Sequence, residues 1–364
     1  MSILVRAPSN IALVKYMGKD SDASSGSAGP NVPTNGSLSM TLDSLCTLME
    51  FRRVSGSSRF VAELPKLSGY TARAGSSAQA PSVPKLSQSG TERLLAHVER
   101  VRGALPVLLA DLGGVSAGRD GWEIRSANTF PAASGIASSA SSFAAVTLAT
   151  ALAGAADPAR VKRALGDGFE LRRRLARLSR QGSGSSCRSF EGSFVEWQGE
   201  DARAVKSAMP KLLDLVLVIG AEEKEVSSSQ AHLRVKSSPL WEGRVSRVQS
   251  RLARLGPAIS KGDFSDVAAI AWEELWEMHS LFHTASEPFT YWLPGSVKAL
   301  RWAQAFRREA IVTMDAGPNV HFLVPESTRD LWLSRLREQF PHEEVLVDAQ
   351  GSGAEVLSIE GGPS

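Results

Sequence analysis

The sequence is poor in cysteine, in excess charge of one sign and in long apolar runs, and each shortage excludes a class of protein. Cys46 and Cys187 are the only cysteines, which does not suit a disulfide-built secreted domain and fits a reducing compartment. The 41 basic and 38 acidic residues leave a net charge of +3, so no strong field favours nucleic acid or a membrane. The uncharged stretch Phe143 to Ala156 is shorter than the roughly 20 residues of a membrane span and predicts a buried helix. Met1 to Ser9 has no signal-peptide or transit-peptide pattern, and we expect a cytoplasmic protein that binds neither nucleic acid nor membrane.

Common catalytic motifs are also absent or stand in the wrong context. Neither a Walker A sequence nor a G-x-G-x-x-G fingerprint occurs, so a P-loop or Rossmann nucleotide site is not supported. The run Gly114-Val-Ser-Ala-Gly118 matches the nucleophile elbow of serine hydrolases, but it follows a predicted helix end instead of a strand. His279 and His283 are four residues apart on a predicted helix, yet the glutamate of zinc-protease helices and a third ligand are missing. We therefore assign no metal-ligating residues and expect packing or surface roles for both histidines.

The apolar pattern predicts an α+β protein of two parts. With 364 residues and 43% hydrophobic content, the chain can form two domains or one large two-lobed unit. Strands are predicted within residues 1–50, from 122–124 onward, and over 193–197, 212–219, 310–315 and 319–324. Besides the Ala-rich helix, helices are predicted over 92–112, 158–179, 240–255, 264–285, 296–308 and 327–340. The polar stretch 66–91 predicts a mobile excursion, and strands before and among helices favour an α+β fold divided near residue 190.

Two Ser- and Gly-rich loops are suited to bind an anion. Asn128 to Ser142 leads directly into a helix, so backbone N–H groups, hydroxyls and the helix N-terminus can surround a phosphate. A tight turn with Ser134 or Ser138 as N-cap explains the same residues. In Arg180 to Ser189, Arg188 offers a planar fork to a carboxylate or phosphate beside several hydroxyls. A flexible surface linker is the alternative for this second loop.

Two further segments combine ionisable residues with turns. Asp315, within Met314 to Asn319, stands at a strand end, where a partly desolvated carboxylate orients or deprotonates a hydroxyl. Asp shortly before Gly-Pro is also ordinary turn chemistry. In Asn10 to Asp20, two lysines and a tyrosine around Gly18 offer charges and a hydroxyl to a diphosphate. A strand with solvated lysines explains this segment nearly as well.

Taken together, the four segments resemble the motif set of the diphosphomevalonate decarboxylases, a family of the GHMP kinase superfamily. Several positions agree in each segment, and all four fall in the family's order. The specific matches are Asn10 to Lys19, Phe130 to Ala140, Gly182 to Ser189 and Asp315 to Asn319. Further similarity in Glu225 to Gln230 and in Met278 to Phe289 extends the resemblance over nearly the whole chain.

The resemblance implies a fold and a set of site residues. The fold is a GHMP kinase fold with a ribosomal-protein-like N-terminal lobe (1–190), a ferredoxin-like C-terminal lobe (191–364) and the active site in the cleft between them. The implied catalytic residues are Asp315, beside the tertiary hydroxyl as base or orienting group, Lys15 nearby, and Arg188, which with Asn10 orients the carboxylate that is lost. The implied substrate-binding residues are Asn10, Tyr16, Lys19, Ser183, Ser185 and Arg93. The implied ATP-binding residues are Gly135, Ala137, Ser138 and Ser139.

The implied reaction is the ATP-dependent decarboxylation of mevalonate 5-diphosphate. Phosphoryl transfer from ATP turns the C3 hydroxyl into a good leaving group, and loss of phosphate and carbon dioxide leaves isopentenyl diphosphate. We expect Mg²⁺ because it offsets charge on the transferring phosphoryl group. Family members imply a homodimer.

Three alternatives stay open at this point. Met17 stands where the family usually has Trp, and the 66–91 stretch is longer than expected. These departures leave room for a relative that acts on mevalonate 5-phosphate, or for a kinase without decarboxylation, although Asp315 argues against the kinase. A degenerate metabolite-binding protein is the third alternative, and the joint retention of Lys15, Arg188 and Asp315 opposes it.

Overall fold

Two β-sheets with helices packed on them make up the structure, a computed structural model that describes residues 1–20, 29–72, 76–118, 120–130, 138–220 and 225–361. The strands are β1 (Ser2–Val14), β2 (Ser37–Val54), β3 (Arg59–Phe60), β4 (Gly121–Asn128), β5 (Phe194–Gln198), β6 (Asp201–Val205), β7 (Leu212–Val218), β8 (Ile311–Thr313), β9 (Val320–Pro325), β10 (Glu344–Ala349) and β11 (Glu355–Glu360). The α-helices are α1 (Gln88–Leu108), α2 (Ser138–Gly154), α3 (Pro158–Asp167), α4 (Phe169–Arg180), α5 (Ser228–Arg234), α6 (Arg244–Lys261), α7 (Phe264–His283), α8 (Pro294–Ala303) and α9 (Arg329–Gln339). This mixture confirms the predicted α+β class.

The larger sheet is built around β2, which pairs with different strands at its two ends. The strand order is β11–β1–β2–β4–β3, and β5, followed by β6, joins beside the first residues of β2. β1 pairs with β2 on both sides of a bulge, because Pro8 faces Cys46 whereas Asn10 already faces Thr41. Proline has no N–H for the ladder and is tolerated at such irregularities. The bulge separates the outer part of β1 from the part that carries Asn10 and leads to Lys15.

Helix α2 packs small side chains directly onto this sheet. It contains no charged residue, and Ala144, Ala145 and Ala149 are fully buried against β1 and β2. α1 packs against it in turn through Leu94, Val98, Val101 and Leu105. The predicted buried helix over 143–156 is confirmed.

The smaller sheet has the strand order β10–β7–β9–β8 and is covered on both faces. Leu212 and Val216 of β7 pack with residues of α6 and α7. Leu213, Leu215 and Leu217 pack with residues of α8 and α9. Successive side chains of a strand point to opposite faces, so a strand buried on both sides needs such a nearly continuous apolar run. α7 also contacts β1 of the larger sheet, which places it behind the cleft between the sheets.

One carboxylate and two chain crossings join the sheets. Asp348, in β10, is buried, and its carboxylate accepts hydrogen bonds from the backbone N–H groups of Asp43, Ser44 and Leu45 at the β2 bulge, at 2.8–3.2 Å. Burial raises the pKa of Asp348 to about 6, although these N–H groups oppose the shift. β5 and β6, which follow residue 190, belong to the larger sheet, and β11 returns to pair with β1. The chain therefore passes to the smaller sheet between β6 and β7 and returns between β10 and β11.

The secondary structure differs from the sequence prediction in particular places. The helix predicted over 158–179 is two helices, because Gly168 is extended and separates α3 from α4. The apolar pattern does not predict β6, β10 and β11, whose short sequences mix charged and apolar residues. In the 66–91 stretch, Ser77 N–H donates to Val347 O and Ser82 N–H to Asn128 O, so the described part of the predicted excursion contacts both sheets. Among the helices that the structure describes, none combines the length and apolar character required to cross a membrane.

Candidate active site

Lys15 and Asp315 form an ion pair where the two sheets meet. Lys15 directly follows β1, and Asp315 lies in the turn between β8 and β9. Lys15 Nζ and Asp315 Oδ1 are 2.6 Å apart, with the lysine side chain 2% exposed and the aspartate side chain 27% exposed. The partly exposed carboxylate is therefore the member of the pair that a ligand can reach. The alternative of a solvated lysine does not hold for Lys15.

The surroundings of this pair determine its charges. Burial lowers the pKa of Lys15; Asp315 and Glu274 oppose the shift, and Arg188 adds to it. Burial acts to raise the pKa of Asp315, but the charge of Lys15, together with His321 and Arg188, outweighs it. The pKa of the Asp315 carboxyl thus lies below its usual value. Asp315 is ionised at neutral pH and is a better hydrogen-bond acceptor than proton acceptor.

Arg188 is buried beside the middle of β1. It lies in a short 3₁₀ helix, Gly184–Ser189, and its Nε donates to Asn10 Oδ1 at 3.2 Å while Nη1 donates to Ser37 Oγ at 2.6 Å. Asn10 Nδ2 donates in turn to Ser189 Oγ at 2.9 Å and to Ser185 O at 3.3 Å. Burial lowers the pKa of Arg188. Because Arg188 and its neighbours are buried, the alternative of a flexible surface linker does not hold.

Tyr16 directly follows Lys15 in the chain, and its ring packs against two other rings. Its ring centroid is 4.6 Å from that of Trp197 and 4.3 Å from that of His232. Within the described part of the chain, its buried hydroxyl has no hydrogen-bond partner. Burial raises the pKa of Tyr16, so the group stays a neutral donor. A ring held this close also requires glycine at 184, where a Cβ would lie 2.6 Å from the Tyr16 ring.

Two cations lie nearer the surface. Burial lowers the pKa of Lys19, and the charge of Arg93 acts in the same direction. Arg93 is exposed; its Nη2 donates to Gly182 O at 3.4 Å, and its guanidinium carbon lies 5.5 Å from the ring centroid of Phe143. Both therefore stand on the side of the Ser-rich loop after α4.

The two Ser-rich loops meet through their hydroxyls. Ser183 Oγ donates to Ser139 Oγ at 3.3 Å, and Ser139 is exposed in the first turn of α2. A helix N-terminus with two accessible hydroxyls suits phosphate oxygens, because its N–H groups and dipole favour negative charge. Ser138 is the first residue of α2, whereas Gly135 and Ala137 lie outside the described residues. Ser139 and Ser183, from distant parts of the chain, thus lie in contact, and Arg188 and Asp315, from two other segments, lie close enough for their charges to interact.

The sequence does not predict Glu274 as a residue of this region, and it leaves His279 between a packing and a surface role. Glu274 is fully buried in α7 and accepts the Lys15 N–H at 3.1 Å. His279, on the same helix, is fully buried, and neither ring nitrogen has a partner among the described residues. Burial lowers the pKa of His279 to about 3, and the charge of Lys15 contributes. A buried acid or histidine on an apolar helix face is the one signal that singles them out. The aromatic contact with Trp292, at 5.1 Å between ring centroids, agrees with packing for His279 and not with a surface position.

Family models match both halves of the chain. Residues 7–208 match the diphosphomevalonate decarboxylase-like N-terminal domain. Residues 214–360 match the mevalonate 5-diphosphate decarboxylase C-terminal domain. The interval between the matches, 209–213, follows β6 and includes the first two residues of β7, where the chain leaves the larger sheet.

Similar proteins and structures align along nearly the whole chain. A diphosphomevalonate decarboxylase of Candida albicans is 30% identical over 361 residues, which cover 94% of this chain and 89% of the relative. A crystal structure of a mevalonate diphosphate decarboxylase from Legionella pneumophila has a TM-score of 0.74 at 32% identity and covers 95% of this chain and 100% of that one. A structure described as MDDEF in complex with MVAPP, AMPPCP and magnesium has a TM-score of 0.73 at 29% identity and covers 98% of each chain.

Proposed function

The chain belongs to the diphosphomevalonate decarboxylase family, and we infer that it converts mevalonate 5-diphosphate and ATP to isopentenyl diphosphate, ADP, phosphate and carbon dioxide. The predicted GHMP kinase fold, with its two lobes, is confirmed by the structural likeness. At the site, the observation that carries the inference is the Lys15–Asp315 ion pair at 2.6 Å, close to a buried arginine and a serine-lined helix N-terminus.

We propose that the cations and the tyrosine hold the anionic ends of the substrate. The unpartnered Tyr16 hydroxyl and the ammonium of Lys19 suit the diphosphate, and Arg93 is placed to assist Lys19. Arg188 and Asn10, which already hydrogen-bond to each other, suit the carboxylate that leaves. Ser183 and Ser185 complete the wall next to the phosphate-binding loop.

Asp315 is suited to the hydroxyl that becomes phosphorylated. A carboxylate whose pKa lies below its usual value orients the C3 hydroxyl as an acceptor and takes its proton late in the transfer. Phosphoryl transfer has a loose transition state, in which positioning and charge stabilisation matter more than early proton removal. Lys15 holds the carboxylate in place and offsets negative charge at the reacting oxygen.

The residues at the start of α2 fit ATP and magnesium. Ser139 and Ser183 present hydroxyls 3.3 Å apart, and Mg²⁺ prefers oxygen ligands that are largely supplied by phosphates and water. We propose that Ser138, Ser139, Gly135 and Ala137 hold the phosphates. When bound, the metal neutralises charge on the transferring phosphoryl group.

The decarboxylation step follows from the charges that surround C3. Once the C3 oxygen carries the phosphoryl group, departure of the phosphate leaves positive charge at C3. The electrons of the bond between C2 and the carboxylate carbon then form the double bond between C2 and C3. Asp315, ionised again once the hydroxyl proton has passed to solvent, stabilises that positive charge, and the carboxylate held by Arg188 leaves as neutral carbon dioxide. Both roles depend on the charges of Asp315 and Arg188, which are determined by their buried surroundings.

Three further properties are proposals of the same kind. We place the division between lobes between β6 and β7 instead of the predicted residue 190, since β5 and β6 pair with the larger sheet. We propose a cytoplasmic enzyme, a location that suits the free, buried thiols of Cys46 and Cys187. We also propose a homodimer, to be checked by light scattering after size-exclusion chromatography; a monomer across working concentrations contradicts it.

The reaction is tested by offering mevalonate, its 5-phosphate and its 5-diphosphate in parallel with ATP and Mg²⁺, while ADP and carbon dioxide are measured together. We expect equal amounts of both products with the 5-diphosphate and little of either with the other two. ADP without carbon dioxide would identify a kinase, and turnover of the 5-phosphate alone would identify the other relative.

A further inference from the structure

A fully buried carboxylate connects the catalytic lysine to the C-terminal lobe. Glu274 Oε1 accepts the backbone N–H of Lys15 at 3.1 Å and a hydrogen bond from Arg244 Nη2. Its Oε2 accepts from Arg244 Nη1 at 3.0 Å and from Arg251 Nη1 at 2.9 Å. Neither Glu274 nor Arg244 is exposed to solvent. Glu274 therefore ties the end of β1 to α6 and α7.

The position of this carboxylate is unexpected on grounds of stability alone. A buried ion pair recovers its desolvation penalty only with near-complete hydrogen bonding, and replacing it with apolar residues is often neutral or stabilising. The Arg244 guanidinium already has a second acid, Glu277 Oε1, at 3.0 Å. The contact that Glu274 makes and Glu277 does not make is the bond to Lys15.

We propose that Glu274 is a positioning residue for the decarboxylation reaction, which fixes the backbone of Lys15 so that its ammonium meets Asp315 across the cleft. The bond acts on the same residue whose Nζ lies 2.6 Å from Asp315 Oδ1. β1 and the β8–β9 turn belong to different sheets, and Glu274 on α7 contacts the first while α7 packs on β8. Glu274 thereby keeps the side chain of Lys15 aligned with that of Asp315.

Glu274 also helps to keep the Lys15 amine protonated. The charged and titratable groups facing Lys15 are Asp315 from the β8–β9 turn, Arg188 from the 3₁₀ helix, and Glu274 and His279 from α7. Glu274 opposes the downward shift that burial imposes on the pKa of Lys15. Removing its charge should therefore lower the pKa of Lys15 further.

The variant Glu274→Gln keeps an acceptor for the Lys15 N–H and removes the charge. Glu277→Gln is the matched control, since Glu277 lies one turn along α7 and pairs with the same Arg244 without a described contact to Lys15. A neutral carboxamide binds Arg244 and Arg251 less strongly than the carboxylate does and therefore holds the Lys15 backbone less firmly. Because small displacements of a catalytic group are costly, we expect kcat of Glu274→Gln to fall roughly ten- to a hundredfold, with KM for the diphosphate substrate nearly unchanged. Glu277→Gln should keep kcat within about threefold of wild type, because Glu277 has no described contact through which it could displace Lys15.

The ionisation of Lys15 is measured separately, because the proposal rests on the proposed function and must be testable without it. Protein labelled with ¹³C at lysine Cε is titrated by NMR, with the Lys15 resonance assigned by its absence in Lys15→Arg. We expect Lys15 to titrate at lower pH in Glu274→Gln than in wild type or Glu277→Gln. If wild type releases no carbon dioxide, the proposed function fails while this titration still decides the role of Glu274.

Folding is checked by thermal melting of each variant. If Glu274→Gln does not fold, Glu274→Asp replaces it, because the shorter acid keeps a charge for Arg244 but does not reach the Lys15 N–H. In that variant we expect the loss in kcat together with faster hydrogen exchange at the Lys15 amide. Unchanged kcat and an unchanged Lys15 titration or exchange rate in a folded Glu274 variant would overturn the proposal.

Discussion

Replacing Asp315 with asparagine separates a catalytic from a structural role for this residue. The change removes the charge that lies 2.6 Å from Lys15 Nζ but keeps the shape of the side chain. A positioned acid–base group contributes typically about 10²–10⁴-fold to rate, which corresponds to about 3–5 kcal/mol at ~1.36 kcal/mol per tenfold. Breaking a fully buried ion pair destabilises a protein by about 3–5 kcal/mol, whereas an exposed pair contributes about 0.2–1 kcal/mol. With one member 2% and the other 27% exposed, we expect a loss of about 1–3 kcal/mol between these limits.

The assay compares turnover, nucleotide affinity and stability in the same samples. We expect kcat to fall by about 10²–10⁴-fold while the affinity for an ATP analogue changes less than about threefold, since among the described residues Asp315 has no hydrogen bond or ion pair with Ser139 or Ser183. Glu326→Gln is the matched control: Glu326 pairs with Lys211 at 2.7 Å, but both side chains are about half exposed, and its loss should leave turnover and stability nearly unchanged. Turnover of Asp315→Asn within tenfold of wild type, or an equal loss of nucleotide binding, would refute the reasoning.

Three other perturbations follow from single groups. Tyr16→Phe removes a buried hydroxyl without a described partner, so stability in thermal melts should hold or rise. KM for the diphosphate substrate should rise about tenfold or more, because one hydrogen bond to a charged group is lost. An unchanged KM contradicts the assigned role. Gly184→Ala places a Cβ 2.6 Å from the Tyr16 ring and should destabilise the fold by about 1–3 kcal/mol in urea titrations, with a neutral effect counting against the close packing. Burial raises the pKa of Asp348 from 3.8 to about 6, so the folded state binds more protons between these pH values and stability falls as pH rises through them. Relative to Asp348→Asn, wild type should lose about 2 kcal/mol between pH 4 and pH 7, and a pH-independent difference in unfolding free energy would be inconsistent with that shift.

The parts of the fold that sequence predicts are those whose periodicity is strong. The uncharged α2 and the apolar β7 are recognised from the sequence. The helix is buried on nearly all sides and the strand on both faces, so each is a run of small or branched apolar residues. β10 and β11 escape because their stability comes from pairing with distant strands, and the residues that face their partners do not form a distinctive local pattern. Gly168 illustrates a third case, in which one residue divides a helical pattern whose periodicity continues across it.

The candidate site divides along similar lines. Asn10, Lys15 and Arg188 are recognised because family motifs are local in sequence, and each of these residues lies in a short segment with several matching neighbours. Their mutual contacts depend on the β2 bulge and on α7, which no short segment specifies. Glu274 lies in a helix whose sequence is that of an amphipathic packing element, so its bond to Lys15 becomes visible only when β1 and α7 are placed together.

The burial of Arg188 supports its proposed role as the residue that binds the substrate carboxylate in a nearly neutral chain. Its guanidinium is held by neutral groups, Asn10 Oδ1 and Ser37 Oγ, and in the part of the chain that the structure describes no carboxylate lies within ion-pairing distance of it. A charge that is buried without a counter-ion is costly, so an incoming carboxylate gains more from Arg188 than it would from a solvated arginine. Under this proposal, the sign of the local field at Arg188, and not the net charge of +3, selects the ligand. By the same argument, Arg188→Lys should keep the charge but lose the fork that Asn10 and Ser37 orient, and should weaken substrate binding more than it lowers stability.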